Sequence, residues 1–534
     1  MKKKQYRIYL DQWLNLKPYR KHNPCDTYYL KLCNRVQEVI KDFIILRMYL
    51  TEEETGDLSC FLTAYFEDQI SQTGLWQTFV RLHRELYGKW LPFYDTGSDY
   101  YEDEINGQDL CFLCWYYLNS RETERMISPY NDFLSELSQQ VLEVFEEAWE
   151  VAPENELLRE AYQLPENCDY YQARMLMDKI LFQSYLFFPD SGLRFQDDAA
   201  NLLQEDRRNP NMPAFISELR DSLVHGTHTK LLSLTGKKWA AELLGREHPR
   251  YADLLELSPR VQGYFLYKSQ NQTHILLEHI ASAKPFELLK ETFDHASSLH
   301  TPGQILFISM LRWQQEWWFS GLHMVKDHDA ALIDEQKHSP EARQSVAFLD
   351  QQESKILELL QEQYQNFLKF NGGSPIAFMA AGRMHAFNRE FLEYHNQSLK
   401  LSEKERNEAL NSAKEKIADP KVGLPEDTFE GMPEDSLAFF NQLAGMEMAF
   451  GITSAFPDPK NPFYSEAESR AAVQDLLFSP DFSKELVQYC IGQHSAQLPF
   501  FQEDPGRKYL EDLDFLLRFC KAENYHTKAE ITLT

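Results

Sequence analysis

Apolar residues recur at spacings of three and four along much of the chain, the mark of amphipathic helices packed on a core. Residues 26–50 carry that stripe as Tyr29, Leu32, Cys33, Val36, Val39, Ile40 and Phe43, which predicts a helix with Asp26 as its N-cap. Beyond the acidic stretch from Asp95 to Glu104, the run Leu110, Phe112, Leu113, Trp115, Tyr116, Tyr117 and Leu118 is apolar on nearly every side and predicts a buried helix. Residues 132–149 and 170–187 predict two more. Thr301 followed by Pro302 reads as a cap and first-turn pair opening a helix to about Val325. Its apolar residues, including Ile305, Met310, Trp313, Trp317, Trp318 and Phe319, cover the whole circumference, so it is expected to be central. An amphipathic helix over about 342–370 ends at Asn371, Gly372 and Gly373, and Ser374 with Pro375 opens another reaching about Tyr394. Ser402 and Glu405 form a capping box for a charged helix ending near Ala418. Helices are also expected over Ser436 to Phe450 and Tyr509 to Phe519, and strand signals are confined to short pieces such as Tyr6 to Leu10.

The expected fold class is therefore all-α: irregular and multi-helical, in two or three lobes with very little strand. The polar, Pro-marked stretch from Asp206 to Pro213 suggests a boundary, dividing an N-terminal lobe (1–210) from a central lobe (211–418). Residues 419–435 hold three prolines, two glycines and six carboxylates against one lysine, so they read as a linker before a C-terminal lobe (436–534). No repeat of fixed period appears. Composition agrees with helices: only 21 glycines stand against 36 Phe, 27 Tyr and 9 Trp in 534 residues.

The net charge of −28 sets the chain as a whole against nucleic acid and anionic lipid. The exception is residues 1–22, where Lys2, Lys3, Lys4, Arg7, Lys17, Arg20 and Lys21 face Asp11 alone and alternate with Tyr6, Tyr9, Trp13 and Tyr19. Such a segment suits phosphate chains and stacked bases; it equally suits an arm docking on its own acidic body, which is the expected role. No apolar run of signal-peptide length follows the N-terminal lysines, the longest apolar stretch, Cys111 to Leu118, is far too short to span a membrane, and eight scattered cysteines fit a reducing compartment. A cytoplasmic location is expected, with no membrane partner.

Candidate chemistry is sparse. Cys111 and Cys114 are the only C-x-x-C pair, and without a second pair they read as packing residues. Ten of the sixteen histidines lie between His225 and His338. On helices, His274 and Glu278 would be one turn apart, as would Glu287, Glu291 and His295. His274, Glu278 and His279 are the candidate metal ligands, although they do not match the inverted zinc motif, and surface or capping histidines are the expected reading. His323, one turn past Phe319, leads the catalytic candidates with Glu316, His295 and Glu291. The carboxylates of 95–109 lack the glycine of a calcium loop, and Gly372, Gly373 and Ser374 serve a helix corner as readily as an anion. Phosphate-loop, dinucleotide and nucleophile-elbow signatures are missing, and no cofactor is expected.

Asp11-Gln12-Trp13-Leu14, Lys17-Pro18-Tyr19 and Thr27-Tyr28-Tyr29-Leu30 near the start resemble an uncharacterised family of Bacteroidota proteins, a domain of unknown function. Ser454-Ala455-Phe456-Pro457, Asn461-Pro462-Phe463, Leu498-Pro499-Phe500-Phe501 and the run from Tyr509 to Phe519 carry the resemblance at the other end. These are packing motifs. The resemblance implies a bacterial, intracellular, full-length unit and brings no site residues. The leading functional expectation is a non-enzymatic interaction or scaffold protein, because bulky aromatics anchor protein grooves. The others are an enzyme of unfamiliar class with a His and carboxylate site in the central lobe, and a nucleic-acid- or ribosome-associated factor acting through residues 1–22.

Overall fold

The computed structural model describes residues 7–97, 100–121, 126–205, 209–339, 342–343, 346, 349, 353–398 and 433–527. Contacts divide the chain into two compact units, Met1–Leu349 and Asp350–Thr534.

The first unit begins with helices: α1 (Leu10–Leu14), α2 (Pro24–Asp42), α3 (Glu52–Ser71), α4 (Leu75–Tyr87), α5 (Gly107–Ser120), α6 (Asp132–Trp149), α7 (Glu156–Ala161), α8 (Tyr170–Phe182), α9 (Leu193–Glu205), α10 (Met212–Gly226), α11 (Gly236–Leu244) and α12 (Tyr251–Glu256). The predicted stripe of α2 is real, with Tyr29, Leu32, Cys33, Val36 and Ile40 buried. Its cap lies earlier than expected: Asn23 accepts from the backbone of Cys25 and Asp26, Pro24 takes the first turn, and Asp26 returns the capping-box bond. The helix also stops at Asp42, because Phe43, Ile44 and Ile45 are poor helix formers in sequence and the chain passes into a 3-10 turn, Ile44–Met48. Helix α5 is buried nearly all round, as its composition predicts. The strand expected at Tyr6 to Leu10 is absent over its described part, where Leu10 opens α1.

The all-α expectation fails downstream of α12. Strands β1 (Val261–Gln270), β2 (His274–His279), β3 (Pro285–Leu289), β4 (Ile305–Trp313) and β5 (Glu316–Lys326) close into a barrel in the order β1-β2-β3-β5-β4, with β4 returning to β1. All pairings are antiparallel except β3 with β5. The central helix predicted from Pro302 to Val325 is thus a hairpin. Strand β4 is packed on both faces, from the barrel interior and from outside, so its apolar run loses the alternation that marks a half-buried strand. The turn, Gln314-Gln315, adopts left-handed conformations at φ 49° and 72° without glycine or asparagine, so its usual residue signal is missing. Val261, Phe265, Ile275, Leu277, Phe286, Leu288, Leu306, Ile308 and Met310 fill the barrel, and Phe293, Ala296 and Leu299 from the β3–β4 connection plug it. Helix α13 (Ala330–His338) lays Ile333 and Leu332 on Tyr264, Leu266, Ile280 and Ile305 outside.

In the second unit, α14 (Glu353–Phe370) ends as predicted at Asn371, Gly372 and Gly373, the glycines at φ 61° and 88°. The helix expected from Pro375 to Tyr394 is first a strand, β6 (Ile376–Ala380), and then α15 (Met384–Ser398). The one expected over Ser436 to Phe450 is a second hairpin, β7 (Asp435–Asn441) and β8 (Gly445–Phe450), completing an antiparallel sheet ordered β6-β7-β8. Six of the seven residues of β7 are buried, which again hides the two-residue period. Helices α16 (Ser469–Phe478), α17 (Lys484–His494), α18 (Pro499–Gln502), α19 (Gly506–Tyr509) and α20 (Leu513–Cys520) follow. The charged helix expected to end near Ala418, and linker positions 419–432, lie outside the described residues.

Candidate functional site

Strand geometry redistributes the histidine candidates. His274 and Glu278 point outward from β2 while the intervening Ile275 and Leu277, with His279, point into the barrel, so the three cannot share an ion. His279 is buried beside Gly263, where a β-carbon would lie 2.9 Å from Nε2, and burial pushes its pKa down to about 4. Its Nδ1 meets Ser282 Oγ at 2.9 Å. Glu278 pairs with Lys268 at 2.9 Å. His295 and His323 do come together, their ring centroids 4.3 Å apart beside Phe293 and Phe319. Burial, then His295, lowers the His323 pKa. Glu316 lies at the opposite end of β5, 2.9 Å from His274, and Glu291 is exposed in a 3-10 turn. Among the described residues, no three His, Cys, Asp or Glu side chains gather in a way that could hold a metal ion. Cys111 and Cys114 are buried, and burial pushes both thiols up.

The N-terminal segment is packed against the helices over its described part. Trp13 is buried and donates its indole N–H to Asp26 Oδ1 at 3.0 Å. Lys17 is 4% exposed, lies 4.0 Å from the Trp13 ring centroid, and is ion-paired with the buried Glu67. Asn155 Nδ2 donates to the other Glu67 oxygen at 2.8 Å.

Sequence reasoning missed a buried polar assembly that joins α8 and α10 to the barrel. Asp221 of α10 is buried with Arg174 Nε 2.5 Å from Oδ1 and Arg260 Nε 3.2 Å from Oδ2, and it also accepts the Ser320 hydroxyl proton. Ser320 has one proton and gives it to Asp221, so the Tyr170 hydroxyl, 3.0 Å away, donates to Ser320. Tyr170 oxygen then accepts from His225 Nε2 at 2.9 Å. Burial pushes His225 down to about 4, so the ring is neutral at pH 7 with its proton on Nε2. Burial would raise Asp221, but His225, Arg174, Ser320 and Arg260 together hold its carboxyl below the usual range. Arg260 also pairs with Glu218, whose second oxygen accepts the Leu322 N–H at 2.8 Å.

Gly321 makes this approach possible. At φ 77° it sits where a β-carbon would collide with the Glu218 carboxylate and the Arg260 guanidinium. A lone glycine in the bulky run from Trp317 to Val325 was the one signal in the sequence. The charges themselves were invisible, since Arg174, Glu218 and Asp221 are spaced like those of any solvated helix face. Above the network lies a cleft of about 240 Å³ lined by Tyr171, Arg174, Ser217, Asp221, Phe319, Ser320 and Gly321.

Among the described residues, α8 lies on the barrel through Tyr170 and Tyr171 on Trp318, α10 through Glu218 and Asp221, and α13 through Ile333, at β1, β4 and β5. The outer face of β2 and β3 is left partly open. It presents His274, Leu276 and Glu278 opposite Leu289, Glu287 and Pro285, with Pro285 and Glu287 exposed.

Strand order and the parallel β3–β5 pair make this a closed five-stranded barrel of OB type, joined to a helical assembly. Residues 7–274 match the family described as protein of unknown function (DUF3843), and the chain belongs to that family. The match takes in the N-terminal motifs of the resemblance, whereas the motifs from Ser454 onward lie beyond it. No curated protein and no solved structure matches the chain. Among the described residues, no helix is long and apolar enough to cross a membrane.

Proposed function

We propose that the protein is a non-enzymatic interaction protein that takes a protein partner on the outer face of β2 and β3. The observation that carries this reading is the composition of that half-open face. Leu276 and Leu289 offer apolar area beside Glu278 and Glu287, and Glu316 extends the acidic rim across from His274. Nucleic acid wants aromatic platforms in a basic groove, and this face has neither. Burial of Trp13 and Lys17 also removes two residues that a nucleic-acid arm at 1–22 would use. Separation of Glu316 from the His295–His323 pair likewise weakens an enzymatic reading. A partner surface with a basic rim around an apolar centre fits the face best. Six of the eight cysteines are buried as packing thiols, in keeping with a reducing, cytoplasmic setting as part of this proposal.

A photoreactive amino acid placed at Leu276, with a control at exposed Glu256 on α12, tests this in host cells. The expected result is a discrete protein adduct at Leu276, absent from the control and lost when Glu287→Lys is added. Adducts to nucleic acid, or identical adducts at both positions, overturn the proposal.

A further inference from the structure

Large apolar side chains left in water are mostly scattered over the described surface, and one stretch departs from that pattern. Between α2 and α3, Ile44 is 74% exposed, Ile45 37%, Met48 81% and Tyr49 44%. Among the described residues, no other window of six holds more than two such side chains. The turn that carries them is ordered by its own bonds. Leu46 and Leu50 anchor it in the core, the Leu46 N–H donates to the Phe43 carbonyl at 3.1 Å, and the Tyr49 N–H donates to the Leu46 carbonyl at 3.0 Å. An Arg47 amine reaches back to the Lys41 carbonyl at 3.0 Å. Apolar residues clustered on a built turn in this way mark a contact surface, whereas single exposed ones do not.

We infer that this turn is an interface between two copies of the chain, the patch of one packed on the same patch of the other about a two-fold axis. Charge selects that occupant. An isologous contact needs a surface that carries its own complement, because residue i of one copy meets residue j of the other and j meets i. Here Arg47 is exposed among the apolar residues, and Glu52 and Glu53 are exposed in the first turn of α3 close by in the chain. Across the axis, Arg47 of each copy faces Glu52 and Glu53 of the other, with Ile44 and Met48 at the centre. A lipid bilayer suits the turn poorly. Apolar side chains enter the headgroup region with the help of a basic rim, and here Arg47 and the half-buried Lys41 stand among exposed Asp42, Glu52 and Glu53 on a chain of net charge −28. Four apolar side chains supply less than the standard interface of about 800 Å² per partner, so the dimer is of the weak, concentration-dependent kind. The turn belongs to the helices before the barrel, and the inference stands or falls independently of the β2–β3 face.

Sedimentation velocity of the full-length protein over about 1–200 µM tests the inference, with a shift from monomer to dimer expected across that range. Ile44→Asp with Met48→Asp, both at exposed positions, is expected to weaken the dimer by about tenfold or more while melting at the parent temperature. Arg47→Glu in one chain and Glu52→Lys with Glu53→Lys in another decide the pairing. Each variant alone brings like charges together and is expected to be monomeric; an equimolar mixture makes both cross-pairs opposite in sign and is expected to dimerise as the parent does. A parent that stays monomeric throughout, a dimer indifferent to the two aspartates, or a mixture no better associated than its components each overturns the inference. So does flotation of a monomeric parent with phosphatidylcholine vesicles that is lost in the Ile44→Asp, Met48→Asp protein.

Discussion

Replacing Gly321 by Ala perturbs the junction of helices and barrel at one atom. Two costs add. A left-handed residue with a β-carbon costs about 1–2 kcal/mol even in open space. Here the space is taken: the new methyl would overlap the Glu218 carboxylate and an Arg260 amine and lie 3.3 Å from Asp221 Oδ2. Neither side chain can swing away cheaply, since Glu218 also holds the Leu322 N–H and the Gln262 amide, while Arg260 also holds Ser309 and Asp221. Breaking a buried ion pair by displacing one partner costs about 3–5 kcal/mol. The expected loss is therefore about 4–7 kcal/mol, a large share of the stability of an ordinary domain. Urea unfolding followed by tryptophan fluorescence is a suitable assay, because Trp317 and Trp318 lie four and three residues before Gly321 in the same strand. The double variant Gly321→Ala, Glu218→Ala should lose less than the sum of the two singles, since removing Glu218 vacates the space the methyl needs. A Gly321→Ala protein within about 1 kcal/mol of the parent would refute the reasoning, and strict additivity in the double variant would show that the collision is not with Glu218.

Three further outcomes are expected. Asp109 is fully buried and raised to about 6 by burial, against the donors Tyr65, Tyr100 and Asn106; its folded pKa exceeds the 3.8 of an ordinary aspartate, so its contribution is present at low pH and is lost as pH rises through 6. Asp109→Asn should accordingly flatten the stability profile between pH 4 and pH 7, as measured by urea midpoints at fixed salt. His225 has the opposite sign: with its folded pKa at about 4 and its unfolded value at 6.5, its contribution is full above pH 6.5 and is lost as pH falls through 4, and His225→Gln should lessen acid sensitivity over that window. Lys17→Met should destabilise by about 3–5 kcal/mol by leaving Glu67 buried and unpaired, whereas Lys17→Met with Glu67→Leu should recover most of that loss; a near-neutral single variant in thermal melts would mean that the pair is not buried in solution.

Legibility along the chain followed packing environment. Helices with one apolar stripe and a polar back, such as α2 and α6, can be read directly, because the 3.6-residue period survives when one face meets water. Strands β4 and β7 could not, since burial on both faces replaces alternation with a continuous apolar run indistinguishable from a buried helix. Punctuation failed with them: Gln314 and Gln315 turn a hairpin that glycine or asparagine would have announced. Of the candidate site, the histidine excess located the barrel region but assigned its residues to helix faces. Counting by fours placed Glu291 with His295, and counting by twos parts His274 from His279. The Asp221 network joins residues as far apart as 39 positions in Asp221–Arg260 and 150 in Tyr170–Ser320, and no local pattern reports such pairings.

Closure of the barrel also bears on where an independently folding fragment can end. The family match stops at His274, the first residue of β2, after β1 has been made and before β3, β4 and β5 exist. A chain cut there would keep the α10 carboxylates and Arg260 but lose Ser309, Ser320 and the Leu322 N–H, which share in satisfying them. It would also leave β1 as a lone strand with both edges unpaired, a template for self-association. During synthesis the same gap opens transiently, for some fifty residues must emerge after β2 before β5 can complete the ring, on the order of seconds at ribosomal rates. The folding unit therefore extends past the matched segment to Lys326 at least, and expression boundaries drawn at 274 would yield an aggregating protein whose behaviour says little about the intact one.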